Sequence, residues 1–260
     1  ISLIPEIAVK KREKSKKQQL LLTNKRVDWG FKQSVQAAQL RIEKQMEQEH
    51  KQVLLVSSTL PQEGKSMTAV NLALAFMQHE KKTVLIDGDL RKPSVAEMLG
   101  MEEQKGLAEY LKGNAKVKEV LQKKGDLTVI QGGKVHGNIS SLMDESRMEE
   151  LMTFLKSEFD YVIIDTPPAY LFSDAAILAG YADRVLYVVR HDMAEIPQIE
   201  KGMESFIQED KLLGYLINRS QKGFASYGKY GYGKYGYGKY GKYQRYVDVK
   251  EDDMDTEDSL

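Results

Sequence analysis

Apolar residues along this chain fall into a few short, dense runs. "VLLVS" (53–57), "TVLID" (83–87), "LTVI" (127–130), "YVIID" (161–165), "RVLYVV" (184–189) and "LLGYLIN" (212–218) are near-continuous β-branched or aliphatic stretches. A strand with one wet face alternates apolar and polar residues, so runs without alternation predict strands buried on both faces of a parallel sheet. Stretches 66–80 and 144–158 between them read as helices. "FKQSVQAAQLRIEKQMEQEH" (31–50) lacks Gly and Pro and repeats Phe31, Val35, Ala38 and Ile42 at helical spacing, which predicts an amphipathic helix. The alternation of strand and helix predicts a three-layer α/β sandwich with a mostly parallel sheet and right-handed crossovers. After Asn218 the apolar pattern stops. The expected organisation is a linker over 1–30, a folded domain over 31–220 and a tail over 221–260.

Composition refines this picture. The chain has 260 residues with 42% apolar content, enough for a sizeable core, and a formal net charge of zero. The charge is unevenly placed. Residues 10–17, "KKREKSKK", carry six basic groups and one acid, whereas 248–260 carry seven acids and one Lys. Such blocks read as solvated arms. Cysteine is absent, which excludes disulfides and thiolate metal sites and suits a reducing compartment. No apolar run approaches the roughly 18–20 residues that cross a bilayer. The first residue is Ile1 rather than Met, so the chain reads as a piece of a longer polypeptide. A basic block such as 10–17 is what the positive-inside rule places just inside a membrane span.

The chemistry concentrates in "VLLVSSTLPQEGKSMTAVNLALAF" (53–76), where a buried strand runs through a loop into Gly64, Lys65 and Ser66 and then a helix. A phosphate-binding loop needs that order. Backbone N–H groups of Gly64, Lys65, Ser66 and Met67 at the helix start face the phosphates, Lys65 reaches the β/γ oxygens, and the Ser66 hydroxyl ligates Mg²⁺. Asp87 and Asp89 end one strand run and Asp165 ends another, at the sheet edge where ligands of open parallel sheets bind. Lys65, Ser66 and these carboxylates predict an Mg²⁺–nucleotide site, with Ser66 and Asp165 organising the metal and Asp87 or Asp89 either accepting a proton or completing the metal shell. Three positions depart from familiar loops. Thr59 stands where the G-x-x-x-x-G-K-S pattern begins with Gly, Leu60 where partition and division-site ATPases carry a signature Lys, and Gln62 follows Pro61.

The tail holds eight of the fourteen tyrosines: Tyr227, Tyr230, Tyr232, Tyr235, Tyr237, Tyr240, Tyr243 and Tyr246, spaced by Gly and Lys. That composition cannot bury enough apolar surface to offset its ordering entropy and predicts disorder. Alone, such a segment also suits self-association or RNA binding.

Taken in order, "EGKS", "VLIDGDLRKP", "DYVIIDTPP", "SDAAILAGYADRVLYVVR", "LLGYLINRS" and the tyrosine cluster resemble the bacterial tyrosine kinases of capsule and exopolysaccharide export. The likeness spans residues 50–246. It implies ATP and Mg²⁺ as cofactors and phosphorylation of the tail tyrosines in trans. It gives Asp87 the role of accepting the tyrosine proton, Asp89 and Asp165 those of metal-organising acids, and Asn218 an adenine contact. Arg91 falls in the basic stretch after the second motif. It further implies a membrane adaptor in the same or a separate chain, a homo-oligomer such as a ring, an opposing tyrosine phosphatase, no nucleic acid, and a place on the cytoplasmic side of the bacterial inner membrane. Gln62 replaces the family's usual Gly, "NISSLM" (138–143) its Asn-Pro-rich turn, and Arg41 alone suggests its oligomerisation pattern. The competing readings are a nucleotide-switch ATPase and a catalytically weak regulatory subunit.

Overall fold

A computed structural model describes residues 2–6, 20–135 and 145–220. An eight-stranded sheet runs through it. In chain order the strands are β1 (Ser2–Pro5), β2 (Val53–Ser58), β3 (Thr83–Asp87), β4 (Gln122–Lys124), β5 (Leu127–Ile130), β6 (Tyr161–Asp165), β7 (Arg184–Arg190) and β8 (Leu212–Ser220). Their spatial order is β1-β8-β7-β2-β6-β3-β5-β4. All neighbours pair in parallel except β4 with β5. The helices are α1 (Trp29–Gln48), α2 (Lys65–Gln78), α3 (Val95–Leu99), α4 (Leu107–Leu111), α5 (Val117–Val120), α6 (Glu145–Glu158), α7 (Asp174–Ala179) and α8 (Ile196–Gln208).

Successive residues of a strand point to opposite faces, and the core divides accordingly. Leu54 and Val56 of β2, Leu85 of β3 and Ile163 of β6 pack with α1, α2 and α3. Val53, Leu55, Val84, Ile86, Val162 and Ile164 pack with α4, α6, α7 and α8 on the other face. Residues of both parities are buried, which is why the runs lack alternation, and the architecture is the expected three-layer sandwich. Each fully buried aliphatic side chain contributes roughly 1.5–3 kcal/mol.

The long helix starts where its sequence says it should. Asp28 caps α1, its Oδ1 accepting the Phe31 N–H at 2.9 Å. Phe31, Val35, Ala38, Ile42 and Met46 form its buried stripe. Trp29, at the first turn, is 42% exposed. The opening segment adds more structure than a linker would. β1 pairs with β8 in register Ser2↔Leu216 and Leu3↔Ile217. Farther on, Leu21 and Leu22 are buried. They are tied to α2 by Asn71, whose Oδ1 accepts from Leu22 N–H at 2.9 Å and whose Nδ2 donates to the Leu20 carbonyl at 2.9 Å. Four residues of strand carry too little pattern to be read from sequence, and their partner lies more than two hundred positions away. Residues 10–17, 138–143 and the tyrosine tail lie outside the described residues. Among the described residues, no helix is long and apolar enough to cross a membrane.

Candidate functional site

Strand β2 delivers the loop 59–64 to the carboxyl edge of the sheet, between β6 and β7. Gly64 caps α2 with φ +97°, and Gln62 takes φ +68°. A Cβ at Gly64 would stand 2.1 Å from the Asn218 Nδ2, so glycine is required there by both φ and space. Asn218 itself donates from Nδ2 to the Glu63 carbonyl at 2.8 Å. The end of β8 therefore braces the loop, through the residue to which the resemblance gave an adenine contact. Glu63 escaped the sequence reading because a loop carboxylate is ordinarily solvated. Here it is fully buried, accepting from the N–H groups of Leu60 at 2.6 Å and Arg190 at 3.3 Å.

The predicted catalytic groups converge. Lys65 Nζ donates to Asp89 Oδ2 at 2.8 Å and to Ser66 Oγ at 3.1 Å, and lies 3.7 Å from Asp165 Oδ1. Burial alone would lower the Lys65 pKa, but Asp165 and Asp89 outweigh it and hold the ammonium charged. Asp87 and Asp165 are register partners on the adjacent strands β3 and β6. The chain can bring them together because residue 88 is glycine. Its N–H donates to the Asp165 carbonyl at 2.8 Å, where a Cβ would approach to 2.7 Å.

The three acids differ in what holds them. Asp87 Oδ2 accepts from the N–H groups of Ser94 at 2.9 Å and Val95 at 3.0 Å, while its buried Oδ1 has no hydrogen-bond partner. Burial, then the neighbouring Asp165 charge, pushes the Asp87 carboxyl well above the usual carboxylate range. Asp165 is completely buried with neither oxygen hydrogen-bonded, and burial raises its pKa despite Lys65. Asp89 is fixed by Lys65 and by the Lys92 N–H, which donates to Oδ1 at 3.1 Å.

Arg91 reaches sideways rather than into this cluster. Its guanidinium donates to both oxygens of the buried Asp174 in the first turn of α7 and sits 4.2 Å over the Phe172 ring. Met67 lines a small apolar crevice with Ile4, Phe31, Val35 and Leu216, beside Asn218.

Unpartnered buried carboxylate oxygens around a lysine fit a divalent cation. Among the described residues no three acidic or imidazole groups gather closely enough to hold one by themselves. Mg²⁺ characteristically keeps several waters and takes substrate phosphates alongside one or two carboxylates.

Residues 49–178 match the ParA family model, described as NUBPL iron-transfer P-loop NTPase. The chain has no cysteine to hold an iron–sulfur cluster, so the match speaks for the nucleotide loop. The tyrosine-protein kinase CpsD of Streptococcus agalactiae is 35% identical over 183 residues, covering 69% of this chain and 80% of that protein. The kinase domain of Escherichia coli tyrosine kinase ETK superposes with a TM-score of 0.75 at 25% identity, covering 91% of this chain and 93% of that one. The septum site-determining protein MinD of Pyrococcus horikoshii, solved with Mg-ADP, shares the fold with a TM-score of 0.56 and 21% identity over 65% of this chain and 70% of that one.

Proposed function

The chain belongs to the bacterial tyrosine-protein kinase family, and on that footing we propose how its residues carry out the reaction and on what. The chain is a nucleotide-binding kinase; the nucleotide is proposed to be ATP with Mg²⁺. One observation carries the reading: Asp87 has one oxygen clamped by two backbone N–H groups and the other unpartnered, beside Lys65. Lys65 and the first N–H groups of α2 hold the phosphates and orient the γ-phosphoryl group. Asp87 Oδ1 accepts the hydroxyl proton of the attacking tyrosine, a task its raised pKa suits. Ser66, Asp89 and Asp165 are the groups that would hold Mg²⁺, which supplies neutralisation of the phosphate charge when bound. Asn218 takes its place at the nucleotide edge by bracing the loop.

The substrate is the tail, Tyr227 through Tyr246, offered by a second copy of the chain to the domain over 31–220. Each phosphate adds about −1.5 to −2 charge, so tail-in-site docking is self-limiting and assembly cycles with phosphorylation. A membrane adaptor, fused or separate, and an opposing phosphatase complete the system at the cytoplasmic face of the membrane, serving capsule or exopolysaccharide export. The basic block 10–17 supports that placement.

Intact-mass spectrometry after incubation with Mg²⁺ and ATP, beside Lys65→Met, tests this. Repeated phosphate additions mapping to 227–246 in the parent alone are expected. A parent that gains none even with an adaptor fragment present would overturn it. The ParA-model match keeps a nucleotide-switch reading in view. Leu60 at the signature-Lys position counts against that reading, and ATP hydrolysis without tyrosine transfer would favour it.

A further inference from the structure

Gln62 holds a left-handed backbone conformation, φ +68°, that L side chains rarely adopt. Nothing in Gln62 itself relieves this. Its side chain is exposed, and its carbonyl takes only a 3.5 Å contact from Arg190 Nη1. Relief comes from the next residue. The bond from Leu60 N–H to Glu63 Oε2 at 2.6 Å spans Pro61 and Gln62 and closes the turn on itself. The other oxygen, Oε1, accepts the Arg190 N–H at 3.3 Å and ties that turn to the end of β7. Asn218 ties the Glu63 carbonyl to β8 at 2.8 Å.

A fully buried carboxylate is costly, and burial pushes the Glu63 carboxyl up. The Leu60 and Arg190 N–H groups donate to it, with the Thr59 N–H, the Ser58 hydroxyl and Tyr187 also facing it, so its placement is explained by the loop it closes.

We propose that Glu63 is a positioning residue of the nucleotide loop, whose buried carboxylate clamps the left-handed turn at Gln62, so that the two residues act as one unit. The proposal rests on the loop being the nucleotide site. Without the clamp, Gln62 relaxes to negative φ, and nucleotide binding must then restore the turn. With glycine at 62, positive φ carries no steric penalty and the clamp becomes dispensable.

A double-mutant cycle reads this directly. Mg-ADP affinity is measured by calorimetry on the full chain, for the parent, Glu63→Ala, Gln62→Gly and the double variant. Losing two hydrogen bonds to a charged acceptor should weaken Kd about tenfold in the parent. In the Gln62→Gly background the same change should cost about twofold or less. Rescue by glycine at the neighbouring position is a response that a general loss of stability would not give. Equal factors in both backgrounds, or an unchanged Kd for Glu63→Ala, would overturn the proposal. Should Glu63→Ala fail to fold, Glu63→Gln keeps one acceptor and should show about a threefold loss, again abolished by Gln62→Gly. A parent that binds no Mg-ADP would overturn the nucleotide-loop reading itself, and a binding parent with additive effects would overturn only the clamp.

Discussion

Replacing Asp87 by Asn should stop the chemistry and stabilise the fold, with a pH dependence that identifies the cause. Asp87 and Asp165 are register partners on adjacent parallel strands, both buried. Strand spacing puts such groups about 5 Å apart, and at an effective dielectric of about 20 the repulsion is roughly 3 kcal/mol. Lys65 is attracted to Asp87 as well, which offsets part of that gain. A net stabilisation of about 1–2 kcal/mol remains, or roughly 2–8 °C in Tm for a domain of this size. The sign follows from linkage. The folded carboxyl pKa is raised, so the native state carries the proton up to a higher pH than the unfolded chain does. Native stability is then full below the ordinary carboxylate value of ~4 and is lost as pH rises through the raised one. Hence Asp87→Asn should melt above the parent at pH 8 and close to it at pH 5, in buffer without nucleotide or Mg²⁺. Phosphate transfer, followed by intact mass, should fall by 10²–10⁴-fold, the usual contribution of a general base. A variant that melts below the parent by the same amount at both pH values would refute the charge-crowding account. One that retains more than about a tenth of the transfer rate would refute Asp87 as the base.

Further outcomes follow from the same geometry. Lys65→Met should abolish transfer by at least ~100-fold and, by leaving Asp89 and Asp165 without their cation, lower stability by about 3 kcal/mol, with millimolar Mg²⁺ restoring part of the melting temperature. Gly88→Ala drives a Cβ to 2.7 Å from the Asp165 carbonyl and should cost about 1–3 kcal/mol by thermal melting, with transfer reduced because Asp87 and Asp89 flank the displaced residue. Arg91→Lys cannot reproduce the two-pronged contact with buried Asp174 or the stack on Phe172, and should lose about 1–2 kcal/mol in chemical denaturation. An Arg91→Lys protein as stable as the parent would show that this pair adds nothing to the fold.

Much of this architecture is written in local pattern. β2, β3, β5, β6 and β7 are dense apolar runs because both faces of each meet helices, whereas the equally apolar run of β8 leaves Tyr215 and Ile217 exposed on one face; Asp87, Asp89 and Asp165 could be placed because each ends or follows such a run. Other features depend on partners distant in sequence. β1 is four residues long and exists through β8; β4 reads "QKK" and exists through its antiparallel pairing with β5. The Glu63 brace needs the Arg190 N–H, and Asn71 needs residues 20–22, more than a hundred and about fifty positions away respectively. Arg91 looked like part of a basic stretch until Asp174 was brought beneath it.

The placement of β2 sets the order in which this protein can be made. Its two neighbours, β6 and β7, are paired in registers Val53↔Val162 and Leu54↔Arg184, so both come from the later part of the chain. Closing loops of that length before any reward slows folding, and a ribosome adding about 5–20 residues per second leaves β2 without either neighbour for several seconds. Until β6 emerges this largely apolar strand has two open edges, and until β7 follows it keeps one, with no Arg190 for the nucleotide loop to rest against. Nucleotide therefore cannot rescue a nascent or truncated chain that ends before that strand, and this interval is where chaperone dependence and aggregation during overexpression should concentrate.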